Sequence, residues 1–134
     1  MVGASHVELV SKLRAATGKT AGVKRAVVFV FSGQGSQYLG MGRELISTSP
    51  LFKDIVCRCH AELLGLGYAG VLTVLDADPE DKVEMEAKQR IEGFQCAVFV
   101  LEYALAKLWI SWGVKPTSVI GHRYGCFLLC GEWD

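Results

Sequence analysis

Residues 31–37 read FSGQGSQ and directly follow an apolar run, AVVFV, at residues 26–30. The run is continuous rather than alternating, which predicts a strand buried on both faces. A strand that opens into a glycine-rich turn can point backbone N–H groups at a reacting oxygen and so stabilise an oxyanion. The turn is therefore the first candidate for chemistry. The alternative is an ordinary strand-to-helix turn without a role in chemistry. Taken alone, these residues favour that alternative.

The turn does not match the common phosphate-binding glycine motifs. A dinucleotide-binding fingerprint needs a third glycine at position 38, where the chain has Tyr38. A P-loop needs Gly-Lys-Ser/Thr after four intervening residues, whereas GMG stands at residues 40–42. The sequence therefore does not predict a nucleotide phosphate site.

Two other kinds of chemistry are considered and not favoured. A hydrolase could use Ser32 or Ser36 as nucleophile, but His6 and His60 are isolated in the sequence and no His–Asp partner is evident. Metal binding has two sets of candidate ligands: Cys57, Cys59 and His60, and His122, Cys126 and Cys130. The first pair of thiols is closer than the usual C-x2–4-C spacing, and nothing joins the two sets. We expect no metal, and thiols that pack as small hydrophobic groups.

The composition suits one α/β domain of 134 residues or a piece of a larger core, since 51% of the residues are hydrophobic. Basic and acidic residues balance at 14 each, so no nucleic-acid or anionic-membrane partner is expected. The longest apolar stretch, residues 96–112, is interrupted by Glu102, Lys107 and Ser111 and is shorter than the ~20 residues of a membrane span.

The cellular setting is predicted from two further features. Residues 1–22 lack the compact apolar segment of a secretory signal. The five cysteines are an odd number, which favours reduced thiols. We therefore expect a cytoplasmic protein, in which residues 1–22 form a linker or a short helix.

The predicted elements alternate in the order that gives a parallel sheet. Strands are expected at residues 24–31 and 117–120, and helices at residues 41–47, from Ser49-Pro50 onward and at residues 94–112. The second helix has an apolar stripe of Phe52, Ile55, Val56, Cys59 and Leu63. The third has a face of Ala97, Val98, Leu101, Leu105, Leu108 and Trp112, and Gly113 with Pro116 ends it. Residues 76–90 are expected to be a surface turn and a short solvated helix. Two strands joined by helices imply a right-handed crossover and a parallel pair.

Five stretches, in order and at suitable distances, resemble the malonyl-CoA:acyl-carrier-protein transacylase family, the acyltransferase domain of polyketide and fatty-acid synthases. They are GQGSQ at 33–37, GMGREL at 40–45, TSPLF at 48–52, FQCAVFVLEYAL at 94–105 and WGVKPTSVIGH at 112–122. Parts of residues 49–70 are most similar to fungal non-reducing polyketide synthases. The resemblance implies that residues 23–134 are a partial acyltransferase domain, namely the first part of its large, hydrolase-like α/β subdomain, ending at the nucleophile elbow.

The resemblance also implies a reaction. In this family a serine attacks the thioester of malonyl-CoA, a histidine far along the chain is the base, and an arginine pairs with the malonate carboxylate. The acyl group then passes to the phosphopantetheine thiol of an acyl carrier protein, and a ketosynthase is the further partner. By resemblance, the oxyanion hole contains Gln34 and Tyr124, and the substrate pocket contains Gly33, Gly35, Gln95 and His122. Structural roles for Gln95 and His122 remain open.

The chain departs from the family at the nucleophile itself. The family reads GHSLGE, whereas residues 121–126 read GHRYGC, so Arg123 replaces the serine. A protonated guanidinium offers no nucleophilic lone pair. The family's base and carboxylate-binding arginine are expected beyond Asp134. We therefore expect no intact catalytic residue and an inactive chain, with a non-catalytic module that binds coenzyme A or a carrier protein as the alternative. A frame change, a retained intron or a truncated gene model would explain the departure.

Overall fold

The computed structural model describes residues 26–33, 35, 37–78 and 87–122 and shows an α/β arrangement. In chain order its elements are strand β1 (Val28–Phe31), helices α1 (Arg43–Thr48), α2 (Pro50–Gly65), α3 (Leu72–Leu75) and α4 (Ala87–Ser111), and strand β2 (Ser118–Gly121). The strands pair in parallel, with Val28 opposite Ser118 and Phe31 opposite Gly121. The short parallel sheet with flanking helices is the predicted fold class.

Strand β1 is not buried on both faces in the described part of the chain, so that prediction was wrong. Phe31 is 5% exposed and packs against Ala106 of α4, whereas Val30 is 70% exposed. Successive side chains of a strand point to opposite faces, and α4 covers only one of them. Ile120 of β2 is also 57% exposed. No described element covers the second face of the sheet.

Helix α2 begins and packs as its sequence predicts. The Ser49 hydroxyl oxygen accepts a hydrogen bond from the Phe52 N–H at 3.4 Å, and Pro50 occupies the first turn. This is an N-cap, which satisfies one of the free N–H groups at the helix start. The predicted stripe faces the core: Phe52, Ile55 and Val56 are buried, and Cys59 and Leu63 pack against them. The helix ends at Gly65.

Helix α3 has no counterpart among the predicted elements. It has four residues, and the side chains of Val74 and Leu75 are fully buried. The carbonyl oxygens of these residues accept hydrogen bonds from the N–H groups of Gly40 (2.7 Å) and Gly42 (3.0 Å). A four-residue apolar segment has too few turns for a helical period to appear in the sequence. Helix α3 thereby fixes the chain that follows the glycine turn onto the core.

Helix α4 is longer than predicted, since it begins at Ala87 rather than near residue 94. Ala97, Val98 and Leu108 are buried, as predicted for its apolar face. Trp112 is 62% exposed, so its assignment to that face was wrong. The helix ends at Ser111, and Gly113, with φ +85°, donates its N–H to the Ile110 carbonyl at 2.8 Å. Trp112 thus lies in the turn that follows the helix rather than on its apolar face.

One segment of α4, Arg90–Ser111, is long and apolar enough by length and composition to cross a membrane. The length of the apolar stretch at residues 96–112 did not predict this. The central helix of a protein core passes the same test. Here α4 contacts both α2 and α3, and its Ala106 packs against Phe31 of β1. Packing within the domain thus accounts for the buried part of this segment, which is 39% of its apolar window.

The Gly70→Ala substitution should destabilise the fold because the His60 ring occupies the space beside Gly70. A Cβ atom at position 70 would overlap His60 Cε1. The ring cannot simply move, since its Nδ1 accepts a hydrogen bond from the Val71 N–H at 3.1 Å. We expect the free energy of unfolding in urea to fall by about 1–3 kcal/mol.

The matched control for this prediction is Gly65→Ala, where the added Cβ meets no atom within 4 Å. That residue is helical, so alanine should leave stability unchanged or raise it by up to about 1 kcal/mol. Equal effects of the two substitutions would show that the His60 ring imposes no constraint on Gly70.

Candidate functional site

The carboxyl ends of β1 and β2 meet at one edge of the sheet. Phe31 and Gly121 are paired, and His122 extends the pairing by donating its N–H to the Phe31 carbonyl at 3.1 Å. The glycine turn and the segment that leads to position 123 therefore leave the sheet side by side. In open α/β sheets, ligands bind outside the carboxyl ends of the strands, so this edge is the candidate active site.

Glu102 of α4 holds the first part of the glycine turn. Its Oε1 accepts hydrogen bonds from the Gly33 N–H at 3.1 Å and from the Ser32 hydroxyl at 3.3 Å. Gly33 is buried with φ +72°, a conformation that glycine adopts without strain. In the sequence, Glu102 stands out only as an interruption of an apolar stretch. That interruption was the available signal, because an acidic group on a core helix requires polar partners.

The second part of the turn is held by Gln37, whose Oε1 accepts a hydrogen bond from the Gly35 N–H at 2.7 Å. The N–H groups of both predicted pocket glycines, Gly33 and Gly35, are thus bonded within the protein. Neither is directed at a substrate oxygen in this arrangement. The oxyanion-hole assignments of Gln34 and Tyr124 fall on residues outside the described part of the chain and stay predictions.

Gln95 lies apart from the glycine turn. It lines a groove of about 650 Å³ between α2 and α4, together with Cys59 and Tyr103. The glycine turn borders a different cavity, a cleft of about 690 Å³ between β1 and α4 that Ser32, Gly33 and Gln37 line. The structure therefore does not bring Gln95 and Gly33 into one cavity. The substrate-pocket role of Gln95 stays a prediction, as does that of His122, whose side chain is exposed.

The described cysteines of the groove are suited to packing rather than to nucleophilic chemistry. Burial raises the pKa of the Cys59 thiol, and burial together with the nearby Glu92 carboxylate raises the pKa of Cys96. Both residues pack against the hydrophobic core. Raised pKa values keep these thiols protonated at neutral pH, and the thiolate is the reactive form.

The first of the two cysteine–histidine sets, Cys57, Cys59 and His60, lies within the described part of the chain. Within the described residues, no group of three or more His, Cys, Asp or Glu side chains is arranged to hold a metal ion. His60 Nδ1 instead accepts the hydrogen bond from the Val71 N–H. Arg123, Cys126 and Cys130 lie outside the described part of the chain.

Removing the Glu102 carboxylate should loosen the glycine turn. We expect Glu102→Ala to accelerate hydrogen exchange of the Gly33 amide by about tenfold, corresponding to about 1.4 kcal/mol for the loss of two hydrogen bonds to a partly exposed acceptor. Glu102→Gln keeps the side-chain oxygen and should preserve most of the protection. Amide exchange followed by NMR or mass spectrometry makes the measurement. Equal acceleration in both variants would assign the effect to the charge rather than to the acceptor.

Comparison with known families gives a match over most of the chain. Residues 28–127 match the model of the acyl transferase domain family. Orsellinic acid synthase armB of Armillaria mellea is 50% identical over 123 residues, which are 90% of this chain and 6% of the relative. The non-reducing polyketide synthase ZEA1 of Gibberella zeae is 41% identical over 129 residues, which are 93% of this chain and 6% of the relative.

Solved structures give the same result for the fold. A loading acyltransferase from the avermectin modular polyketide synthase has a TM-score of 0.66 and 38% identity, over 78% of this chain and 31% of that chain. The malonyl-CoA:ACP transacylase of Synechocystis sp. PCC 6803 has a TM-score of 0.58 and 31% identity, over 82% of this chain and 35% of that chain. The chain thus spans a small part of the curated relatives and about a third of these two solved acyltransferases. These matches confirm the resemblance: the chain belongs to the acyl transferase domain family of polyketide synthases.

Proposed function

We propose that this chain is the N-terminal part of a polyketide-synthase acyltransferase domain and that it does not itself transfer malonyl groups. The observation that carries the proposal is that the family's sheet edge is present whereas an arginine stands at the position of the family's nucleophile. The paired ends of β1 and β2 form the edge at which the family's reaction is expected, and the next residue after His122 is Arg123. The family match extends through residue 127 and so includes that position.

The chemistry explains why this one residue decides the outcome. Transfer begins when a hydroxyl oxygen attacks the thioester carbonyl, loses its proton to a base and expels the coenzyme A thiolate. An arginine side chain stays protonated and provides no lone pair for this attack. Loss of the nucleophile in a serine enzyme lowers turnover by roughly a millionfold. We therefore propose malonyl-CoA and carrier-protein phosphopantetheine as the substrates of the parent domain rather than of this chain alone.

The test is covalent labelling of the purified chain with radioactive malonyl-CoA, followed by intact-mass measurement. We expect no malonyl adduct under conditions that label an intact acyltransferase domain. Circular dichroism and a cooperative urea transition establish that the chain used is folded. A malonyl group covalently bound to the chain would overturn the proposal.

A second function is compatible with the cleft beside the glycine turn. This second candidate is a non-catalytic module that binds coenzyme A or a carrier protein, since a cleft of about 690 Å³ lies within the range of small-ligand sites. Tyr38 and Gln37 supply polar groups to its wall. Calorimetry with malonyl-CoA and with the phosphopantetheinylated carrier protein separates the two functions. Saturable heat would support the binding module, whereas none would leave the inactive segment.

Association with an acyl carrier protein and a ketosynthase, and a cytoplasmic location, are further parts of the proposal. Support for the partners comes from the relatives, which are polyketide synthases. Support for the location comes from the sequence, in which an odd number of cysteines favours reduced thiols.

A further inference from the structure

The side chain of His60, on α2, is hydrogen-bonded to the start of helix α3. Its Nδ1 atom accepts a hydrogen bond from the Val71 N–H at 3.1 Å. The Val71 carbonyl in turn accepts hydrogen bonds from the N–H groups of Val74 (3.1 Å) and Leu75 (2.9 Å). Val71 is the residue that precedes the first turn of α3. One imidazole nitrogen therefore fixes the residue from which this short helix begins.

Helix α3 in turn holds the segment that follows the glycine turn. The Gly40 N–H donates to the Val74 carbonyl at 2.7 Å, and the Gly42 N–H donates to the Leu75 carbonyl at 3.0 Å. Gly42 also packs closely on α3, since a Cβ atom added to it would stand 3.3 Å from the Leu75 Cβ. A displacement of α3 must therefore disturb both glycine amides. Hydrogen bonds thus run without a break from His60 to the chain that leaves the candidate active site.

The hydrogen bond at Nδ1 requires the neutral form of His60, with its proton on Nε2. A protonated imidazole carries an N–H on both nitrogens and accepts no hydrogen bond. Protonation would therefore set two N–H donors, those of His60 and Val71, against each other. Val71 is 0% exposed, and a buried N–H that loses its acceptor is costly. Histidine is the side chain that changes its charge between pH 8 and 5, so the bond is present at neutral pH and lost as the pH falls.

The face of α2 that carries His60 has no charged neighbour on the same helix. The residues three and four positions away, which share this face, are apolar except for the Cys57 thiol. Arg58 and Glu62 are two positions away and lie on other sides of the helix. No charge on α2 is therefore placed to compensate a protonated His60 ring.

The elements that face α2 bring few charges to this region. Residues 69–75, which contact the ring at Gly70 and Val71, have no charged side chain, and Asp76 after them is exposed. The described charged side chains at the start of α4, which packs on α3, are Arg90 and Glu92. All of these groups are the same in the unchanged chain and in a variant at position 60. A comparison of the two therefore isolates the contribution of the His60 ring.

We propose that His60 is a pH-sensitive switch that fixes α3 and the segment at residues 40–42 when neutral and releases both when protonated. The sign follows from the hydrogen bond. The folded arrangement binds the neutral ring, whereas the unfolded chain accepts the proton freely, so stability falls as the pH falls. The local order of the chain beside the candidate active site therefore depends on pH.

The experiment is amide hydrogen exchange of the whole chain at about pH 7.5 and about pH 5, with each rate divided by the intrinsic rate of that amide at the same pH. We expect the protection of Val71 to fall by at least about tenfold at the lower pH, and that of Gly40 and Gly42 by at least about threefold. Val100 and Ala104 of α4 report on the whole fold and should keep their protection. Unchanged protection of Val71, unchanged protection of the two glycines, or an equal loss in α4 overturns the proposal.

A matched pair of variants assigns the pH dependence to the imidazole. Asparagine bears an oxygen on Cγ, where histidine bears Nδ1, and this oxygen accepts a hydrogen bond without taking up a proton in this pH range. Its helix propensity is close to that of histidine. His60→Asn should therefore keep Val71 protected at both pH values, whereas His60→Leu should leave it weakly protected at both. An equal acid-induced loss in the unchanged chain and in His60→Asn would refute the proposal.

The ring itself provides a measurement that does not depend on how the variants fold. We expect the nitrogen chemical shifts of His60 in the unchanged chain to show the Nε2–H form at about pH 7.5. Its conversion to the protonated form should follow the same pH dependence as the loss of Val71 protection. A proton on Nδ1 at neutral pH, or protonation without loss of protection, would contradict the proposal. None of these measurements involves malonyl transfer, so their outcome is independent of the proposed function.

Discussion

The Arg123→Ser variant becomes labelled by malonyl-CoA when it is combined with the remainder of an acyltransferase domain, whereas the unchanged chain in the same complex does not. Serine restores the hydroxyl oxygen that attacks the thioester carbonyl. By resemblance, the remainder supplies the histidine base and the arginine that binds the malonate carboxylate. The expected gain approaches a millionfold, or about 8 kcal/mol at about 1.36 kcal/mol per tenfold change in rate.

Two controls decide whether the gain comes from the new hydroxyl group. Arg123→Ala in the complex removes the guanidinium without adding a nucleophile and should remain unlabelled. Arg123→Ser without the remainder has the hydroxyl but neither the base nor the carboxylate-binding arginine, and should also remain unlabelled at the same exposure. Equal labelling of the Ala and Ser variants would show that the new hydroxyl group is not the malonyl acceptor. No labelling in the Ser complex would show that Arg123 alone does not account for the loss of the reaction.

The features that sequence patterns predicted correctly depend on neighbours in the chain. The N-cap at Ser49-Pro50 and the apolar stripe from Phe52 follow from spacings within one or two helical turns. The parallel pairing of β1 and β2 follows from the helices between them. Each of these features can be predicted from the residues of one continuous segment.

The features that were missed depend on residues far apart. Glu102 and Gly33 are separated by 69 positions, and nothing near either residue predicts their hydrogen bond. The apolar run of β1 indicated burial, yet the second face of the strand is open because no described element covers it. Gln95 was placed correctly on a helix, but which cavity it lines depends on how α2 and α4 pack. Local sequence patterns therefore determine the helices and strands, whereas tertiary packing determines which residues come together at the site.

The Phe52→Ala substitution should produce the largest loss of stability of any single change in the helical core. Phe52 is fully buried at 0% exposure among residues of α2, α3 and α4, and among the described residues it is the largest fully buried side chain. Removing its ring leaves a cavity that costs about 3–5 kcal/mol, against a total stability of about 5–15 kcal/mol for a typical domain. The adjacent Leu51, 41% exposed, is the control, and Leu51→Ala should cost less than about 1 kcal/mol. Urea unfolding of the two variants makes the measurement. Because the described sheet is covered on only one face, the helical core must provide most of the burial that holds this chain together, and similar losses from both substitutions would refute that conclusion.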